Sequence, residues 1–109
     1  MTNLLHETLE ILEDNGKSFE DIQWVGTSTG EISLASFLVE ADTDYYDGYG
    51  TEEVNLTLVV VGNDWWLERH EYDGAEWWEY KEKPDKPERQ VDSNEVEHEI
   101  FNDWHYRSK

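Results

Sequence analysis

From Val54 to Glu82 apolar positions recur at every second residue, and two turn signals, Gly62-Asn63 and Asp73-Gly74, divide the stretch into three. Side chains alternate across a strand, so the pattern predicts a three-stranded antiparallel meander. A two-residue Gly62-Asn63 loop pairs Val60 with Trp65 and Leu58 with Leu67. A mirrored Asp73-Gly74 turn pairs Tyr72 with Ala75, His70 with Trp77, Arg69 with Trp78 and Leu67 with Tyr80. One face then carries Leu56, Leu58, Val60, Trp65, Leu67, Trp78 and Tyr80 and is expected to be core. The other carries Thr57, Val59, Trp66, Glu68, His70, Tyr72, Trp77 and Glu79. Arg69 falls on the core side, where a cation–π pair with Trp78 would accommodate its charge.

Upstream the period changes. Leu5, Leu9 and Leu12, with Ile11 beside them, predict a helix from about Asn3 to Asp14, capped by Thr2 and stopped by Asn15-Gly16. Ile22 to Val25 reads as a short strand, followed by a turn at Thr27 to Gly30. Ser33 is placed to cap a second helix whose Leu34, Phe37, Leu38 and Ala41 share one face. Downstream, Glu82 to Asp92 carries Pro84 and Pro87 and reads as an extended linker. Asp92-Ser-Asn-Glu95 has capping-box spacing and predicts a last helix to about Tyr106, with Val96, Ile100, Phe101 and Trp104 inward. The expectation is one α+β domain over residues 1–109, in the order α-β-α-β-β-β-α. Its antiparallel sheet is the meander plus one short strand, with about three helices mainly on one face.

Composition narrows the function classes. The chain has 109 residues, no cysteine and a net charge of −19. Disulfides and thiolate metal sites are thereby excluded. So much negative charge disfavours binding to nucleic acid or to an anionic membrane, since both require a positive face. Lys17 is the one basic residue among the first 68, against 15 acidic ones. No apolar run approaches a bilayer span and the start lacks a signal-peptide pattern, so a cytoplasmic location is expected.

Chemistry-bearing motifs are few. Asp42, Asp44 and Glu53 fall at positions 1, 3 and 12 of a calcium loop, but Tyr46 stands at position 5 and Gly48 comes one residue late. A weak calcium-binding module is therefore an alternative reading, and no metal site or cofactor is assigned. Glu95 and His98 are spaced to share a metal without a clear third ligand. Gly26 to Gly30 lacks the lysine and spacing of a phosphate loop, and no serine sits in a nucleophile elbow. The expectation is that the protein is not an enzyme.

Carboxylates set along a helix and a loop approach the charge density of duplex DNA, about one charge per 1.7 Å. Glu7, Glu10, Glu13, Asp14, Asp42, Asp44, Asp47, Glu52 and Glu53 are the acidic candidates for contact with a basic partner. Tyr45, Tyr46, Tyr49, Trp66, His70, Tyr72 and Trp77 are the aromatic candidates, because tryptophan and tyrosine favour interface hot spots. In size, charge, lack of cysteine and the Trp65–Gly74 segment, the chain resembles small acidic proteins encoded by bacteriophages and prophages, among them anti-CRISPR and anti-restriction inhibitors. That resemblance implies a DNA-mimicking inhibitor of a basic, nucleic-acid-binding host protein such as a CRISPR or restriction nuclease, acting in the bacterial cytoplasm. The alternative is a structural or protein–protein interaction module that uses an exposed aromatic sheet face.

Overall fold

The computed structural model describes residues 1–48 and 50–102. The class is α+β: a five-stranded antiparallel sheet and a two-stranded one, with helices. In chain order the elements are β1 (Thr2–Asn3), α1 (Leu4–Asp14), a 3-10 turn (Phe19–Asp21), β2 (Ile22–Thr27), β3 (Gly30–Ile32), α2 (Leu34–Glu40) and β4 (Asp44–Tyr45). The meander follows as β5 (Val59–Gly62), β6 (Trp65–Tyr72) and β7 (Ala75–Glu82), and then α3 (Val96–Ile100). The large sheet runs β3-β2-β5-β6-β7, and β1 pairs with β4.

Asn3, rather than Thr2, caps α1: its side chain accepts the His6 N–H at 3.1 Å. Thr2 is instead a strand residue whose hydroxyl donates to Asp47 at 2.7 Å. The helix stops where expected, with Lys17 N–H reaching back to the Leu12 carbonyl at 2.8 Å, a bond that closes a helix past its glycine. Its inner stripe is turned from the expected Leu5-Leu9-Leu12 line. Thr8 and Leu12 are fully buried and Leu4, Leu5 and Ile11 pack around them. Thr8 tolerates the core because its hydroxyl donates to the Leu4 carbonyl and accepts the Trp78 indole N–H at 2.9 Å. Buried polar groups persist when so paired.

Ser33 caps α2 through the Ser36 N–H, and Phe37 and Ala41 are buried as the spacing requires. The Asp73-Gly74 hairpin keeps the expected register throughout, and both residues have the positive φ, 51° and 88°, that such a turn needs. The first hairpin differs by two residues. Val60 faces Leu67 and Val61 faces Trp66, so the loop centre is Asn63-Asp64, with Asp64 at φ 68°. A shift of two preserves the faces, which is why the expected core stands: Leu58, Val60, Trp65, Leu67 and Trp78 are buried beside Leu12, Val25, Phe37 and Ala41. Tyr80 stacks on Trp65 with ring centres 5.9 Å apart. Leu56 is a correction. It lies before β5 and is 43% exposed, because the chain turns at residues 55–57 around Asn55 and Thr57.

Residues 83–91 form no helix or strand. The expected capping box before α3 does not form: Asp92 to Glu95 is a backbone turn, and Glu95 caps without its side chain. Within the described residues α3 spans Val96–Ile100, and Val96, Ile100 and Phe101 are exposed rather than inward. The helix ends at Ile100, Phe101 being extended, and the remainder of the expected helix beyond Asn102, Trp104 included, lies outside the described residues.

Candidate functional site

The inner and outer sides of β6 and β7 hold two different groupings of aromatic and charged residues. On the inner side Arg69 is buried at 5% exposure. Its guanidinium carbon lies 4.9 Å from the Trp78 ring centre and 5.5 Å from that of Tyr45, so the anticipated cation–π contact forms and a second ring joins it. Arg69 Nη2 donates to Glu76 at 3.0 Å and to the Tyr45 hydroxyl at 3.1 Å, and Nη1 lies 3.4 Å from Glu7. The Tyr45 hydroxyl donates to Glu7. Burial, then this bond to Glu7, drives the Tyr45 hydroxyl well above its ordinary pKa. Burial acts to lower the Arg69 pKa, but the Tyr45 bond and the Glu7 charge outweigh it and the net direction is upward.

Glu76 extends this cluster into the loop. Its carboxylate accepts the backbone N–H groups of Glu53 and Val54 at 2.7 and 3.1 Å. Its own N–H donates to the Asp47 carbonyl at 2.8 Å. Removing one partner from such a buried pair typically costs about 3–5 kcal/mol. The cluster is thus a structural clamp that fixes the acidic loop to the sheet.

Two contact candidates are drawn into this cluster: Tyr45 is buried, 6% exposed, and Glu7 is engaged by Arg69 at the edge of the hollow over Ile11 and Trp78. Others in the loop serve local bonds while staying at the surface. Asp42 and Asp44 accept from the Asn3 side chain at 2.9 and 3.2 Å, Asp47 accepts from Thr2, and Glu53 accepts the Tyr46 N–H. Among the described residues no group of three His, Asp or Glu side chains is arranged to hold a metal ion. Glu95 faces Arg89 at 3.5 Å. Glu10, Glu13, Asp14 and Glu52 are exposed and meet no cation among the described residues. Glu10 and Asp14 flank an open hollow of about 270 Å³ over Ile11 and Trp78. Tyr46 is 54% exposed and Tyr49 lies outside the described residues.

The outer side carries Trp66, His70 and Trp77, each half-buried, with Tyr72 76% exposed near the turn. Trp66 donates its indole N–H to Glu68 at 2.7 Å, and Trp77 donates to Glu79 at 3.2 Å. Each acceptor is two residues along the same strand and on the same face, so each indole N–H is taken up by its own strand neighbour. Glu68 and Glu79 are directly opposite each other, an unfavourable pairing for like charges. His70 sits between them, Nε2 at 2.7 Å from Glu68 and Nδ1 at 3.5 Å from Glu79. Lys81 reaches Glu79 at 3.3 Å. The indole bond from Trp66, then His70, holds the Glu68 carboxyl below its usual range; the bond from Trp77, then Lys81, does the same for Glu79.

Trp24 belongs to this face and was not among the residues singled out from sequence. It lies across from Val61, which faces Trp66. A bulge between Ile22 and Trp24 turns Ile22 and Val25 both inward and leaves Trp24 outward, 43% exposed. Its ring lies over Gly26, where a Cβ would approach within 3.2 Å of it. The bulge has no signature in the local sequence. Glu76 was also missed, although the predicted register already set it on the core face with Arg69, and two opposite charges on one buried face call for each other. Comparison with protein-family models, curated proteins and solved structures finds no match to the chain.

Proposed function

We propose that the protein is a non-enzymatic inhibitor. It binds a basic, nucleic-acid-binding protein, such as a CRISPR or restriction nuclease of a bacterial cell, by offering carboxylates where that partner receives phosphates. The observation that carries this reading is how the fold distributes its charge. Arg69 is buried against Glu7 and Glu76, and Lys81 and Arg89 each face a glutamate. Among the described residues, the acids along the outer side of α1 meet no cation. Glu10, Glu13 and Asp14 place three charges over about 6 Å of helix at 1.5 Å per residue, close to the density of duplex DNA. With a net charge of −19, association with a basic groove is steered over long range and weakens as salt rises. No helix among the described residues is long and apolar enough to cross a membrane.

The test is a pull-down from bacterial lysate at low and at high salt, followed by competition with duplex DNA for the captured protein. Capture of a nucleic-acid-binding protein that high salt or DNA releases supports the reading. Recovery of no such protein at low salt sinks it.

A further inference from the structure

The core-forming helices α1 and α2 both lie on the inner side of the large sheet. On the outer side every side chain is half-buried or exposed, and its chemistry selects an occupant. The indole N–H groups of Trp66 and Trp77 are already bonded to Glu68 and Glu79, so what the rings offer outward is their π faces. Ionised carboxylates lie between them. A π face beside a carboxylate favours a cation. A planar guanidinium suits it better than an ammonium, because it stacks on a ring and pairs with a carboxylate at once.

The reverse side of these same strands already holds a guanidinium in this way. Arg69 lies between the rings of Trp78 and Tyr45 and pairs with Glu76 and Glu7. The outer side repeats two rings and two carboxylates, with His70 and Lys81 the only basic groups in contact among the described residues. A second copy of this chain is a poor occupant, since it would bring its own Glu68 and Glu79 against these and set like charges face to face.

We propose that this face is a docking surface for arginine side chains on an extended basic segment of a partner protein, which stack on Trp66 and Trp77 and pair with Glu68 and Glu79. The assignment rests on the basic-partner reading above and gives that partner a second point of contact, apart from the acids of α1.

Calorimetric titration of the full chain with an alternating Gly-Arg peptide, and with the Gly-Lys peptide of equal length, tests it. The expected result is at least about fivefold tighter binding of the arginine peptide. Trp66→Leu/Trp77→Leu removes that preference while leaving the circular dichroism spectrum intact. Glu10→Gln/Glu13→Gln/Asp14→Asn weakens both peptides alike and keeps the preference. Should the tryptophan variant not fold, Glu68→Gln/Glu79→Gln must abolish the preference instead. Equal affinity for the two peptides, a preference that survives these changes, or self-association that is lost on Trp66→Leu/Trp77→Leu overturns the docking surface and leaves the basic-partner reading standing. If neither peptide binds at low salt, both readings are overturned.

Discussion

At Gly62 the ring of Trp65 lies where a side chain would begin: a Cβ there would sit 2.0 Å from Cε2 of that indole. Gly62 is therefore required by the ring that closes the core, while Asn63 and Asp64 make the turn. Gly62→Ala forces Trp65 out of its place and is expected to destabilise the fold by about 3 kcal/mol, the upper range for overpacking. In a Trp65→Leu background the same change is expected to cost less than about 1 kcal/mol. Urea unfolding of the four variants measures both, and equal costs in the two backgrounds would remove the explanation. A glycine before an asparagine reads from sequence as a turn, and that reading placed the loop one position early. Local turn preference is visible in a sequence, whereas the close approach of a ring three residues away is a tertiary fact. The Arg69 contact was legible because charge and ring fell opposite each other in a register fixed by Asp73-Gly74. Tyr45 and Glu7 were not, since their partners are 24 and 62 residues away.

Among the elements, β6 and β7 were the most legible, for strict alternation and a strong turn leave one register only. The strand expected at Ile22 to Val25 is present as β2, but β1, β3 and β4 were missed because two- and three-residue strands carry no periodicity to count. The stripe of α1 is rotated by about one residue position from the expected one, with Thr8 fully buried in place of Leu9, because a threonine occupies a core position that pattern-reading reserves for apolar residues. The division of β7 into an inner and an outer side has a mechanical consequence. Trp78 is 4% exposed and holds Thr8 and Arg69, while Trp77 on the next position is half-buried over the outer face. Trp78→Ala is expected to cost about 3–5 kcal/mol, as core aromatics do, and Trp77→Ala about 1 kcal/mol, as partial burial implies. Thermal melting of the two variants checks the order, and similar losses would mean that the outer face is packed.

For the whole molecule, stability follows from two sets of ionisable groups set against a large net charge. Glu68 and Glu79 are held below the usual 4.5 by their indole, histidine and lysine partners. A carboxylate depressed on folding stabilises the fold fully above its unfolded value and loses that contribution as pH falls through the folded one. Tyr45 and Tyr80 are shifted the other way, Tyr80 from 10.0 to about 12 by burial and its bond to Glu82. Their neutral forms favour the fold, completely below about pH 10, and that part is lost as pH rises through the folded values. Between these limits the term that changes is self-repulsion, which a charge of −19 makes large at pH 7 and which vanishes near the sequence pI of about 4.2. The melting temperature is therefore expected to rise as pH is lowered from 7 toward 5, and to fall below about 4.5 as Glu68 and Glu79 protonate. Salt separates the two causes, because a Debye length of about 10 Å at 0.1 M screens repulsion between exposed acids far more than the short bonds within the Arg69 cluster. Raising sodium chloride at pH 7 should lift the melting temperature, while the same addition near the pI should change it little. An equal response at both pH values would show that unpaired surface carboxylates are not what limits this fold, and the charge on α1 would then need no partner to relieve it.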